Sequence, residues 1–124
     1  MKIACGTDII EIERVRKSIE NIGEKFLEEI YTKNEIAYCE SKRKAKYQHY
    51  AARFAAKEAA FKAVNNFLEN KFSISWKNIE VVNDDKGKPD LRFINKEFSQ
   101  IISMDISISH CKEYAVANVV ILYN

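Results

Sequence analysis

The chain has 124 residues, 47% hydrophobic and 31% charged, with 20 Lys and Arg against 18 Asp and Glu. Such a length suits one domain spanning residues 1–124 that buries about two-thirds of its surface, and the composition excludes bulk disorder. A net charge of +2 excludes a strongly basic arm or an acidic tail as the main device and leaves local patches open.

Residues 1–10 read as a strand rich in Ile. Ile12, Val15, Ile19 and Ile22 then recur at helical spacing, with Gly23 placed to end the helix. A short helical turn is expected around Phe26, Leu27 and Ile30. Thr32 and Glu35 have the spacing of a capping box, and Tyr31 and Ile36 stand where a hydrophobic staple sits, so a third helix should start there and end near the charged run 41–46. The longest helix is expected from about Tyr47 to Glu69, dense in alanine. Ile79 to Val82 and Leu91 to Ile94 read as strands around the turn Asp84 to Pro89. A helix is expected over Lys96 to Ile102, then strands over Met104 to Ser109 and Tyr114 to Leu122. The fold class is α+β: an antiparallel sheet, joined by the N-terminal strand, packed against a long alanine-rich helix.

Cys5, Cys39 and Cys111 are odd in number and lack a CxxC pair, so no disulfide framework or zinc site is expected and a reducing cytoplasm is. No apolar run approaches the ~20 residues of a membrane span. Asp8 and Glu11 interrupt the N-terminal stretch where a signal peptide would be apolar.

Two acids stand out. At 100° per residue, Ala51, Phe54, Glu58, Phe61, Asn65 and Leu68 form one stripe of the long helix, which puts Glu58 between two phenylalanines on the face expected to meet the core. A carboxylate there needs a pair, hydrogen bonds or a metal, and Lys62 at i+4 is one available pair. Arg53 and Lys57 make the neighbourhood basic. Asp8 lies in a strand, where Asp is depleted, on the face of Ala4 and Ile10; a cap at the strand's end is its ordinary explanation. Two acids in apolar settings on different elements also suit a hard cation, since magnesium takes one or two carboxylates and completes its shell with water and phosphate. The Lys86-Gly87-Lys88-Pro89 turn reads as a solvated hairpin or an anion contact, and Ser107, Ser109 and His110 close a strand. No Walker loop, GxGxxG or Ser-His-Asp spacing is present.

Four blocks in order carry a resemblance: GTDIIEIERV, RFAAKEAAFKA, IEVVNDDKGKPDL and ISISHCKEYAVANVV. Together they resemble the bacterial holo-[acyl-carrier-protein] synthases, the small 4′-phosphopantetheinyl transferases, over nearly the whole chain. The resemblance implies a 4′-phosphopantetheinyl transferase-like fold and a role in fatty acid biosynthesis. The implied reaction transfers 4′-phosphopantetheine from coenzyme A to a serine of apo acyl carrier protein, releasing adenosine 3′,5′-bisphosphate. It implies Mg2+ on Asp8 and Glu58, and Lys62 on the phosphates. Arg53, Gly87, Lys88, Pro89, Ser109 and His110 are implied coenzyme A contacts. It also implies a homotrimer with active sites between subunits. Glu58, or a water it orients, is the candidate base for the serine proton; the capping box already accounts for Glu35. Carrier proteins are acidic, so Arg14 and Lys17, with Lys25 following, are expected to form the docking face. The run Lys42, Arg43, Lys44, Lys46 stays open between carrier, coenzyme A and a helix end. The rival from another class is a nucleic-acid-binding module built on KRKAKYQHYAARF, with Tyr47, Tyr50 and Phe54 as stacking platforms. Near-neutral charge and the two acids weigh against it, and the intact Asp8, Glu58 and Lys62 weigh against a catalytically silent relative. Neither nucleic acid nor membrane is expected as a partner.

Overall fold

The structure is a computed structural model that describes residues 1–68 and 74–124. Strand β1 (Lys2–Glu11) leads directly into helix α1 (Ile12–Ile22), followed by α2 (Glu24–Ile30), α3 (Lys33–Glu40) and the central α4 (Lys46–Val64). The second half holds β2 (Ile79–Asn83), β3 (Pro89–Phe93), β4 (Ile101–His110) and β5 (Tyr114–Tyr123). Two antiparallel sheets result, one in the order β1-β5-β4 and one formed by β2 and β3. This is the expected α+β arrangement, with the N-terminal strand in the sheet.

Gly23, at φ +81°, ends α1 by donating its amide to Ile19, as a left-handed glycine can. Thr32 and Glu35 form the expected capping box at α3. Ile12, Val15 and Ile19 are buried, but Ile22, expected on the same face, is exposed because α1 stops there and the chain turns away.

Helix α4 departs from its sequence reading. Its ordered helix ends at Val64, and the expected end at Glu69 lies outside the described residues. The stripe through Phe54, Glu58 and Phe61 is not the core face. Ala55, Ala56, Ala59, Ala60 and Ala63 are fully buried, while Phe54, Glu58 and Phe61 are half-buried at an edge. Within α4 only Lys62 is exposed. A helix enclosed on nearly every side has no single apolar stripe, so the stripe taken from periodicity had the wrong phase.

The alanines let the sheet come close. On β1, Gly6 lies against α4 so tightly that a Cβ there would sit 1.9 Å from the carbonyl oxygen of Ala59. One cluster joins these alanines to Ala4, Ala117, Val119 and Ile121 on one side and to Ile79, Val81 and Leu91 on the other. A second joins α1 to Tyr31, Cys39, Tyr50, Ala51 and Ala115.

Lys57 and Glu35 are both fully buried and paired at 2.5 Å. Lys57 also donates to the carbonyls of Ile30 and Trp76, and Glu35 accepts from the Val81 amide. Glu80, buried beside them, accepts from Thr32. This network ties α3, α4 and β2 together. The helix expected over Lys96 to Ile102 is not formed: a bend at 94–95 and a turn at 99–100 lead into β4, whose first residue Ile101 pairs with Tyr123. Pairing to β5 outweighs a short local helical pattern.

Candidate active site

Because β1 lies directly on α4, Asp8 comes beside the stretch of α4 that carries Glu58 and Lys62. Lys62 Nζ lies 3.2 Å from Asp8 Oδ1 and 2.9 Å from the Thr7 carbonyl oxygen. The available pairing of Lys62 with Glu58 along the helix is thus replaced by one across to the strand. Burial pushes the Glu58 carboxyl up from its ordinary pKa, the neighbouring Asp8 charge adds to this, and Lys62 opposes it. The Asp8 and Glu58 carboxylates and the Lys62 ammonium therefore face one space.

That space is a cavity of about 580 Å3. Asp8, Glu11, Glu58 and Lys62 supply polar atoms, Ile10, Val15, Phe26 and Phe54 line it with apolar surface, and Arg14 and Ser18 of α1 also border it. Trp76 stacks on Phe54 and meets Phe61 edge-on, both at 5.1 Å between ring centroids, so the phenylalanines flanking Glu58 share one aromatic brace.

Arg53 and Lys57 do not add charge here, contrary to the sequence reading. Lys57 is spent on Glu35. Arg53 is 4% exposed, lies over the Tyr38 ring at 4.0 Å and donates Nη2 to Asn83 Oδ1 at 2.7 Å, while its Nε is buried without a partner. Residues one to five positions apart on α4 thus point in different directions.

Arg53 belongs to a second cluster. Asn83, which it holds, donates to the Gly87 carbonyl, and Asp84 Oδ1 accepts from the Lys86 and Lys88 amides, fixing the turn in which Gly87 takes φ +83°. His49 packs against Tyr38 and lies 6.0 Å from the His110 ring, with Lys42 Nζ over the Tyr38 ring at 4.8 Å. Burial first, then Lys42, Arg53 and His110, hold His49 below its usual pKa. Arg53, His110 and the Gly87 turn are thereby linked. Lys88 reaches Asp105 at 3.6 Å, both exposed, and Pro89 opens β3 opposite Asn83.

Ser109 stands apart. It is aligned with Val116 and Ile9, and so projects from the open face of the sheet, whereas His110 is aligned with buried Ala115 on the face toward α4. On α1, Arg16 is bound by Glu13 and Glu20, which leaves Arg14 and Lys17 without an acidic partner among the described residues. Lys25, likewise exposed, lies beyond Gly23 on α2.

Tyr38, His49, Asn83 and Gly6 escaped the sequence reading as site residues. His49 precedes Arg53 by one helical turn, a spacing available in the sequence; the roles of Asn83 and Gly6 depend on tertiary contacts alone. The nucleic-acid reading loses two of its three platforms, since Tyr50 is buried with its hydroxyl on Glu40 and Phe54 is stacked on Trp76. All three cysteines are free. Among the described residues, no helix is long and apolar enough to cross a membrane.

Comparison with known proteins gives a consistent result. The pattern of the 4′-phosphopantetheinyl transferase superfamily matches residues 4–119. A holo-[acyl-carrier-protein] synthase of Ruminiclostridium cellulolyticum is 47% identical, over 98% of this chain and 92% of its own. The crystal structure of a Bacillus anthracis holo-(acyl-carrier-protein) synthase in complex with CoA (3′,5′-ADP) superposes with a TM-score of 0.78 at 42% identity, covering 95% of this chain and 94% of its own. The Helicobacter pylori synthase in complex with coenzyme A gives 0.78 at 31% identity, covering 95% and 99%.

Proposed function

The chain belongs to the 4′-phosphopantetheinyl transferase superfamily and within it to the holo-[acyl-carrier-protein] synthases, and on that premise we propose that the Asp8–Glu58–Lys62 cavity is where it transfers 4′-phosphopantetheine from coenzyme A to a serine of apo acyl carrier protein. The observation that carries this reading is the convergence of those three side chains in one cavity bordered by Arg14.

Magnesium fits the donor set. Two hard carboxylate donors from different elements face one space, where burial first and the Asp8 charge second raise the Glu58 pKa. Among the described residues no cluster of three or more acidic, His or Cys ligands forms, which suits an ion whose remaining ligands are water and phosphate. Asp8 and Glu58 would hold it, and when bound it would offset pyrophosphate charge and polarise the β-phosphorus.

The chain's own groups do the rest. Lys62 offers an ammonium to the phosphate oxygens and to the departing adenosine 3′,5′-bisphosphate. Glu58, with its pKa raised, is the acceptor for the serine proton as the serine oxygen forms its bond to phosphorus and the bond to the leaving bisphosphate breaks. Phe54 and Phe26 exclude water from one side of the cavity. Coenzyme A contacts fall to Arg53, Gly87, Lys88, Pro89, Ser109 and His110. The unpartnered Arg53 Nε supports an anion there. Arg14, Lys17 and Lys25 form the docking face for the acidic carrier, where complementary charge raises the encounter rate.

The assembly is a homotrimer in this reading, with sites between subunits. Ile3, Ile9 and Val120 are exposed on the open face of the three-stranded sheet, and the total accessible surface of 7723 Å2 exceeds the ~6,800 Å2 expected of a folded chain of this size. Ser109 on that same open face would serve a neighbour's site, and not the one beside His110 of its own chain. The enzyme acts in the cytoplasm, in fatty acid biosynthesis.

The test is incubation with a cognate apo carrier protein, coenzyme A and Mg2+, followed by mass spectrometry of the carrier. Gain of one phosphopantetheine is expected; an unmodified carrier overturns the reading.

A further inference from the structure

Lys62 is the one exposed residue of α4, yet its ammonium is held against β1 by Asp8 Oδ1 at 3.2 Å and the Thr7 carbonyl oxygen at 2.9 Å. Its carboxylate partner is the less accessible of the two, with 18% of the Asp8 side chain exposed against 53% for Lys62. Asp8 is fixed by strand pairing opposite Ala117, whereas the lysine is a flexible stem rooted on a helix. Of the two, the lysine is the group that can leave.

A divalent cation on Asp8 would bring a double positive charge next to this ammonium. Like charges at such range repel, so the cation and Lys62 contend for one carboxylate. We propose, resting on the metal reading above, that Lys62 is the resident counter-ion of Asp8 and that a divalent cation binds by displacing it. Phosphate is the natural destination for the displaced ammonium, because charge-assisted hydrogen bonds to phosphate are stronger than the exposed contact it leaves. Lys62 therefore couples the two ligands: a phosphate that draws it from Asp8 raises metal affinity, and by linkage the metal raises phosphate affinity by the same factor. Between turnovers the lysine keeps the two facing carboxylates partly compensated.

The competition is read without any transfer reaction, by titrating Mn2+ alone into the protein and following free Mn2+ by electron paramagnetic resonance. Lys62→Gln removes the competing charge and should bind Mn2+ about fivefold tighter than wild type, the scale of an exposed ion pair. Lys62→Arg keeps the charge and should stay close to wild type. Unchanged or weaker binding by Lys62→Gln overturns the proposal, as does equal tightening in both variants. Asp8→Ala should lose the site; if it retains wild-type affinity, the metal assignment falls as well, which separates that failure from failure of the competition alone. With coenzyme A added, the enhancement of Mn2+ affinity should be smaller in Lys62→Gln than in wild type, and an equal enhancement overturns the coupling. Lys62 is half-exposed and its loss buries nothing, so the variants should keep the wild-type melting temperature.

Discussion

Gly6→Ala is a one-methyl change with a large expected effect. The new Cβ would lie 1.9 Å from the Ala59 carbonyl oxygen and 2.9 Å from both the Ala59 carbonyl carbon and the Ala63 nitrogen. All three are backbone atoms inside a helix, so no rotamer change relieves the overlap. A carbon–oxygen contact settles near ~3.3 Å, which means β1 must withdraw from α4 by more than an ångström. Overpacking of this kind costs up to about 3 kcal/mol where side chains can adjust, and two backbones adjust less. In a domain of this size that corresponds to a fall in melting temperature of roughly 10 °C. Activity should suffer more than stability, because Asp8 lies two residues along the same strand and would be carried away from Glu58 across the cavity. Displacement by about 1 Å is enough to slow a positioned reaction by ~100-fold. Thermal melting by circular dichroism, paired with carrier modification rates below the transition, reads both effects. Wild-type melting with a wild-type rate would refute the close approach of β1 and α4 as the device that assembles the site.

Asp8→Ala and Glu58→Ala should each lower the transfer rate by at least about 100-fold while the protein melts normally, and a variant near wild-type rate would remove that residue from the metal site. Arg14→Glu should raise the KM for the carrier about tenfold, an effect that shrinks with added salt, while leaving the KM for coenzyme A near wild type; equal rises would refute a docking role. Glu35→Ala strands the Lys57 ammonium in the interior and should destabilise the chain by about 3–5 kcal/mol, as measured by urea unfolding. Adding Lys57→Met should restore much of that loss, and no recovery would assign the cost to the lost capping box.

Local features of the fold were legible wherever neighbours in sequence determine them. Thr32 and Glu35 announce a helix start because both partners of the capping box lie within one turn. The same Glu35 also receives the Val81 amide and pairs with Lys57, and no spacing rule reveals contacts that far apart in the chain. Helix α4 was read with the wrong face inward because its burial on nearly all sides erases the contrast that periodicity measures. The segment 96–102 misled for the opposite reason: its short apolar pattern fits a helix turn or a strand start, and Ile101 opens β4 by pairing with Tyr123 of β5. At the site, Asp8 and Glu58 were conspicuous as acids among apolar neighbours. Their meeting depends on Gly6, whose importance is the absence of a side chain. The direction of Arg53, turned from Glu58 toward Asn83 and Tyr38, follows from which elements pack on each side of α4, and that is knowledge of the fold and not of the helix.

The alanine surface of α4 also constrains how this protein can change over generations. Ala51, Ala55, Ala56, Ala59, Ala60 and Ala63 have no accessible surface at all. Most cores tolerate exchange among Leu, Ile, Val and Met because volume lost at one position can be regained at its neighbour. A surface made of the smallest chiral side chain has no volume to trade: enlarging a fully buried member overpacks the core, and shrinking it to Gly weakens the helix by about 1 kcal/mol. Substitutions must therefore accumulate elsewhere, in the strands and outer helices, and remain compatible with an inner helix that cannot reciprocate. Drift in this chain is asymmetric, with the periphery adapting to a centre that stays fixed.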